Sequence, residues 1–283
     1  MKKDGHRYKA GFLAALILKY LSLVLIAAVF ITPILLVFFA SFKELKEFYN
    51  TSKISLPHSF LNFANYIKAF TKGGMLKGLI NTCFIMAVSL TGSILFGAMV
   101  GYVLSRFKFA AKKLVIGMYF TAYLIPMVTT QVATYKIIDS LGLFNTLWAA
   151  IVLYLGADVM SIFVMMQFIG TIHVSIDESA MLDGASYFTI FFKLILPLLK
   201  PAIATLVIIK GVAIYNDFYI PFLYMPGNGL QTLSTSLFRF MGPFGGEWNV
   251  ICAGIILIMI PTTIAFLGLQ KYMYSGFTQG AVK

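Results

Sequence analysis

The sequence predicts an all-α integral membrane protein with six transmembrane helices, and three observations carry that fold class. Hydrophobic residues make up 60% of the 283 and charged residues only 11%, far from the mixed composition of a soluble domain. The apolar residues fall in runs of the length, about 20 residues, that crosses a hydrocarbon core of about 30 Å. Those runs are continuous, whereas an outer-membrane barrel would alternate in segments of about ten residues. The stretches between the runs are polar connections, so one membrane domain is expected over residues 1–283, with no separate soluble domain.

The elements follow in chain order. A basic tail, residues 1–11, with Lys2, Lys3, Arg7 and Lys9, precedes helix one at Tyr20–Ala40. A secretory signal would carry about 7–15 apolar residues and then a small-residue cleavage site; this run continues past Pro33 without one. An external segment, residues 41–77, holds Pro57 and the aromatic residues Phe60, Phe63 and Tyr66. Within it Phe63, Tyr66, Ile67 and Phe70 recur at spacings of three and four, predicting a surface helix that packs by this apolar face. Helix two, Asn81–Ser105, leads through the basic turn RFKFAAKK to helix three, Leu114–Tyr135. The turn suits a headgroup or topology role. SLGLFNTLW, with Gly142 as breaker and Asn145 as possible cap, opens helix four, Leu141–Ile172. Helix five covers Pro201–Met225, and a glycine-rich loop leads to helix six, Trp248–Gln270, and the tail 271–283. Cys83 and Cys252 lie in helices two and six and are expected to be small buried packing residues without a disulfide.

The formal net charge of +12 would suggest nucleic acid in a soluble protein; here membrane topology explains it, and no nucleic-acid partner is expected. The basic residues of the tails and of the turns after helices two and four place both termini inside. Six lysines of the first outer segment, Lys43 to Lys77, run against the rule, but long loops weigh less.

Between helices four and five lies a segment too polar for lipid, residues 173–200, containing SIDESAMLDGASYFTIFFKLILP. Ser175 and Glu178 have the spacing of a capping box, and Asp177 and Glu178 suit the positive end of a helix. Gly184 then interrupts helix propensity, which implies a bend, and Pro197 and Pro201 mark the approach to helix five. Two short helices at roughly a right angle under the membrane are expected.

These residues resemble a known family. Glu178, Ser179, Ala180, then Gly184, then Leu194, Leu196 and Pro197 match, at intact spacing, the E-A-A, G, I, L-P signature of bacterial ATP-binding-cassette importer permeases. Ser stands at the second position and Leu at the isoleucine position. IPMVTTQVATYKIIDSLGLFNT, YNDFYIPFLY and LQKYMYSGFTQGAVK look like segments of the smaller permease of maltose-type carbohydrate importers. The resemblance implies a bacterial cytoplasmic membrane protein that couples to ATPase subunits through Glu178, Ser179, Ala180, Asp183, Gly184, Leu196 and Pro197, with Glu178 contacting the ATPase and Gly184 as the turn glycine. It also implies a second homologous permease, two ATPase subunits and an extracellular or periplasmic solute-binding protein as partners. Carbohydrate is the implied cargo; another solute, or an ion-coupled carrier or scaffold, is the alternative.

The chain is not expected to be an enzyme. No G-x-x-x-x-G-K-[ST] loop and no Gly-Lys pair occurs in it, so ATP and Mg are left to the partner ATPase and no cofactor or metal is expected here. A translocation path needs polar groups at bilayer depth. The candidates are Asp158, Lys210 and Asp217, with Gln167, Asn216, Asn81 and Gln131 weaker, and Tyr215, Tyr219 and Tyr224 as aromatic faces for sugar. The structural alternatives are that Lys210 snorkels, that Asp217 satisfies backbone near Pro221, and that the tyrosines are interfacial anchors.

Overall fold

The computed structural model describes residues 4–156, 159–242 and 245–281. The chain is mostly helical. In order it forms α1 (Asp4–Phe42), α2 (Leu45–Asn50), α3 (Ala64–Lys72), α4 (Met75–Arg106), α5 (Lys112–Leu124), α6 (Met127–Ser140), α7 (Leu147–Leu155) and α8 (Val159–Thr171). There follow α9 (Ser175–Leu182), α10 (Tyr187–Ile190), a π turn (Phe191–Ile195), α11 (Leu196–Leu198), α12 (Lys200–Asn216), α13 (Tyr219–Tyr224), α14 (Leu233–Ser236) and α15 (Trp248–Ala281). A two-residue antiparallel ribbon pairs Met241 with Gly246. Among the described residues three helices are long and apolar enough to cross a membrane, or up to six spans if each of three bent pairs counts as one.

The bends correct the expectation of continuous helices three, four and five. α5 and α6 meet at 100°. Pro126 brings no N–H and forces Ile125 into extended backbone (φ −76°, ψ 118°), so one apolar run becomes two helices. α7 and α8 are inclined by 42°, and the turn from Tyr187–Leu198 into α12 is 71°. The run predicted as helix five stops at Asn216 and restarts at Tyr219.

Two compact units divide the chain, residues 1–73 with 239–259, and residues 74–238 with 260–283. In the first, α1 is apolar and exposed on all sides from Ala15 to Ile34, the pattern of a helix meant for an apolar surrounding. The segment that follows α1 is organised by polar groups. Lys43 is 1% exposed, and its ammonium donates to Thr51 Oγ1 (3.2 Å), the Ser52 carbonyl (3.0 Å) and Ser55 Oγ (2.8 Å), using all three of its donors. Asn65 Nδ2 donates to the carbonyls of Ser41 and Lys43 (2.8 Å each), and Asn249 Nδ2 donates to Asn65 Oδ1 (2.9 Å). α3 therefore buries Asn65 and Ala69, while Ile67 and Phe70 of the predicted packing face are exposed. The chain chose the face that meets unsatisfied carbonyls at the end of α1 over the more apolar one.

In the second unit α4 is the central element. Ser89, Ser93, Gly97 and Gly101, four residues apart, form a buried stripe of small residues. A Cβ on Gly97 would stand 2.7 Å from Ser161 Cβ, and one on Gly101 would stand 3.0 Å from Met165 Cβ. α4 and α8 thus pack backbone to backbone. Two cores form along α4, one around Ile94, Ala98, Tyr102, Met165, Ile169, Phe191 and Leu206, the other around Ile85, Ala149, Ile151, Ile214 and Tyr224. Near the start of α4, Asn81 Nδ2 donates to the carbonyls of Gly229 (3.0 Å) and Gln231 (2.9 Å), and Thr82 Oγ1 accepts from Leu233 N (3.0 Å). Asn145 does not cap α7. It sits at φ +59° and its side chain accepts from Gly227 N at 2.7 Å, tying two loops instead. Cys83 is exposed and Cys252 half-buried, so neither is the buried packing residue expected, and both are free.

Two substitutions test this packing. Gly97→Val forces α4 off Ser161 and should lower stability by about 1–3 kcal/mol, read as a reduced unfolding temperature in detergent. Asn81→Leu strands the carbonyls of Gly229 and Gln231 and should cost about 1–3 kcal/mol, with faster limited proteolysis in 226–236.

Candidate functional site

The residues of the signature segment are brought together by a helix with two faces. α9 begins at Ser175 itself, and the preceding Val174 is already helical (φ −64°, ψ −26°) without a side-chain cap. The predicted capping box is not formed. Backbone takes its place, because Ile176 N donates to His173 O (3.2 Å) and Glu178 N to Val174 O (3.1 Å), so the amide that Ser175 would have capped is already satisfied.

The C-terminus of α9 explains Gly184. Gly184 N donates to Met181 O (3.0 Å) and Ala185 N to Ala180 O (2.9 Å), the two bonds of a Schellman motif. The motif needs a left-handed residue, and Gly184 supplies φ +82°. A Cβ there would meet nothing within 4 Å, so backbone conformation alone demands the glycine.

Glu178, Ser179 and Asp183 are exposed, together with Leu182 at 90%, while Ala180 packs against the core. Asp177 points the other way, at 3% exposure. Its Oδ1 accepts from Tyr102 OH (2.8 Å) and its Oδ2 from Arg106 Nε (3.0 Å). Arg106 Nη2 donates as well to the Ile172 carbonyl, 2.9 Å away, just beyond α8. Beyond Gly184, Ser186 accepts from Thr189 N (3.3 Å) and caps α10. Ile190, Phe191, Ile195 and Leu199 are buried, Leu196 is half-buried, and Pro197 is exposed. An apolar cavity of about 170 Å³ lies between Tyr102, Val103 and Phe107 on one side and Tyr187, Phe188 and Phe191 on the other.

The path candidates are divided. Lys210 and Asp217 line one cavity of about 360 Å³ with Tyr123, Tyr154 and Met160. Asp217 Oδ2 accepts from Tyr154 OH (2.8 Å), and Oδ1 accepts from Tyr219 N (2.7 Å) and Ile220 N (3.3 Å), where α13 restarts. Tyr219 is exposed and its hydroxyl donates to Gln131 Oε1. Gln167 is exposed on α8 away from this cavity, Asn216 is exposed and donates to Val212 O on its own helix (3.0 Å), and Tyr215 is buried. Tyr224 is fully buried in the core. Asp158 lies outside the described residues. Among the described residues no group of three His, Cys, Asp or Glu side chains could hold a metal ion.

Tyr102, Arg106 and Tyr154 carry no local signal in the sequence. Arg106 and Asp177 are 71 positions apart, and Tyr154 and Asp217 are 63 apart. The basic turn that begins at Arg106 is therefore more than a headgroup or topology device. Its first residue is a buried structural cation.

Comparison with known proteins agrees with this architecture. Over 225 residues, 79% of this chain and 82% of the relative, it is 32% identical to a melibiose/raffinose/stachyose import permease protein of Bacillus subtilis strain 168. It is 29% identical, over 95% of both chains, to a galactooligosaccharides transport system permease protein of the same organism. A chain in the crystal structure of a bacterial ABC transporter involved in import of the acidic polysaccharide alginate superposes with a TM-score of 0.76. That match covers 96% of this chain and 98% of that one at 20% identity, which establishes a shared fold. Residues 93–279 match the family described as the inner membrane component of binding-protein-dependent transport systems. With its signature helix, its small-residue seam and its broken spans, the chain belongs to that family of transport permeases.

Proposed function

We propose that this chain is one permease of an ATP-driven, binding-protein-dependent importer of carbohydrate, oligosaccharide in particular, in a bacterial cytoplasmic membrane. It spans the bilayer six times as one permease domain, each bent pair counting as one span, with both termini and the 173–200 segment on the inner side. Its partners are a second homologous permease, two ATPase subunits that hold ATP and Mg, an external solute-binding protein and lipid. Nucleic acid has no part in it. The observation that carries the proposal is the two-sidedness of α9, which anchors Asp177 inside and displays Glu178, Ser179, Leu182 and Asp183 outside. A fixed inner face and an offered outer one suit a docking element. The sugar class is supported by the named cargo of the relatives and by the hydroxyls that Tyr123 and Tyr154 bring to the cavity with Lys210 and Asp217.

In mechanism, ATP-driven closure of the ATPase subunits displaces α9, with Glu178 paired to a basic residue of the engine and Gly184 and Pro197 shaping the segment. The permease pair then alternates between inward-open and outward-open states. Polar side chains of the cavity lend hydrogen bonds to cargo during passage.

Glu178→Ala should weaken ATPase docking by a charge-assisted contact of about 1.5–3 kcal/mol, cutting uptake about tenfold or more. Membrane insertion should be unharmed; uptake at the unmodified rate would remove Glu178 from the coupling. Tyr154→Phe should reduce uptake several-fold, the effect of about 1 kcal/mol, with ATPase docking intact. If only the yield of inserted protein changes, Tyr154 serves packing alone.

A further inference from the structure

We infer that the buried pair Asp177–Arg106 is a positioning joint that carries the displacement of α9 into α4, distinct from the exposed contact that receives it. The inference rests on the coupling role proposed for α9.

The geometry supports it in three ways. First, the pair is closed on itself. The side chains of Arg106 and Asp177 are 9% and 5% exposed, each carboxylate oxygen has its own donor, and Arg106 also holds the carbonyl of Ile172. One guanidinium therefore links the end of α4, the end of α8 and the first turn of α9. Removing either member leaves a buried charge without its partner, which is far costlier than the pair is worth. Second, α9 has little else to pull with. Glu178, Ser179 and Leu182 are exposed, and the chain leaves the helix through a left-handed glycine with open space around it. Apart from Asp177, the α9 side chain packed on the buried core is the small Ala180, and the helix otherwise lies against the short α10 that follows it. Third, α4 is suited to pass a movement on. It is one unbroken helix of 32 residues, while α5 with α6 and α12 with α13 are interrupted. Gly97 and Gly101 lock it against α8, and Ile85 places it in the far core with Tyr224.

The test uses the complete importer, with both permeases, ATPases and receptor, reconstituted in proteoliposomes. Raffinose and a galacto-oligosaccharide serve as cargo probes, and the ratio of sugar imported to ATP hydrolysed is the readout. Asp177→Asn and Arg106→Gln should keep the ATPase subunits bound and hydrolysing while that ratio falls about tenfold, within the range of measured coupling effects. Tyr102→Phe, which removes one hydrogen bond and keeps the pair, should give an intermediate ratio. The exchange Asp177→Arg with Arg106→Asp should recover part of the loss. A ratio unchanged in both single variants would overturn the proposal. So would failure of both to insert while Tyr102→Phe keeps the unmodified ratio, since the pair would then serve folding alone. Glu178→Ala run alongside separates the two ideas: ATPase subunits still bound to it would sink the docking role, while the ratio in the Asp177 and Arg106 variants still judges the joint.

Discussion

Close approach of α4 to α8 is the constraint on which the second unit depends. In hydrocarbon an apolar side chain gains nothing by exchanging lipid for protein, so helices hold together where their backbones pack tightly. The stripe Ser89, Ser93, Gly97 and Gly101 provides such a seam, with Ser161 and Met165 facing it. Larger side chains on either side of the seam then form the two cores, with α4 contributing Ile85 to one and Ile94, Ala98 and Tyr102 to the other. The position of Arg106 at the end of that helix, and so the place where Asp177 is received, follows from the same seam.

A second constraint shapes the cavity. Every interrupted helix leaves peptide groups that water cannot reach at membrane depth, and each must find a partner within the protein. Asp217 answers for the amides of Tyr219 and Ile220, and its own carbonyl accepts from Ser234 Oγ (2.6 Å). Its other carboxylate oxygen accepts from Tyr154 OH. Part of the polarity of that cavity is thus the by-product of a helix break: the carboxylate that repairs the backbone is also presented to the open space, beside Lys210, Tyr123 and Tyr154. Asp217 closes the backbone at the break and lines the cavity with the same carboxylate.

Much of this was legible in the sequence, for identifiable reasons. Composition and run length locate the apolar segments, because the bilayer sets a length that local sequence must meet. The turn at Gly184 was legible because a left-handed residue has a local signature. The break at Pro126 was not anticipated, since hydropathy is blind to backbone direction. Asp217 satisfying backbone near Pro221, by contrast, was one of the alternatives open for that residue, and its carboxylate does accept from the amides of Tyr219 and Ile220. Asn65 on α3 defeated the apolar periodicity because carbonyls at the end of α1 needed donors more than Ile67 and Phe70 needed cover. The small-residue stripe was open to view as G-x-x-x-G at Gly97 and Gly101. The Arg106–Asp177 pair was not, since only the tertiary fold joins residues so distant in the chain. Lys43 shows how counting charges misleads: a lysine tallied among the outer ones is sealed inside, surrounded by neutral oxygens.

The amide of Asn81 clasps Gly229 and Gln231 near the end of α4 opposite Arg106. A rod gripped at both tips cannot turn at one without turning at the other. The 226–236 loop and the residues around Arg106 are therefore fastened to opposite ends of a single lever.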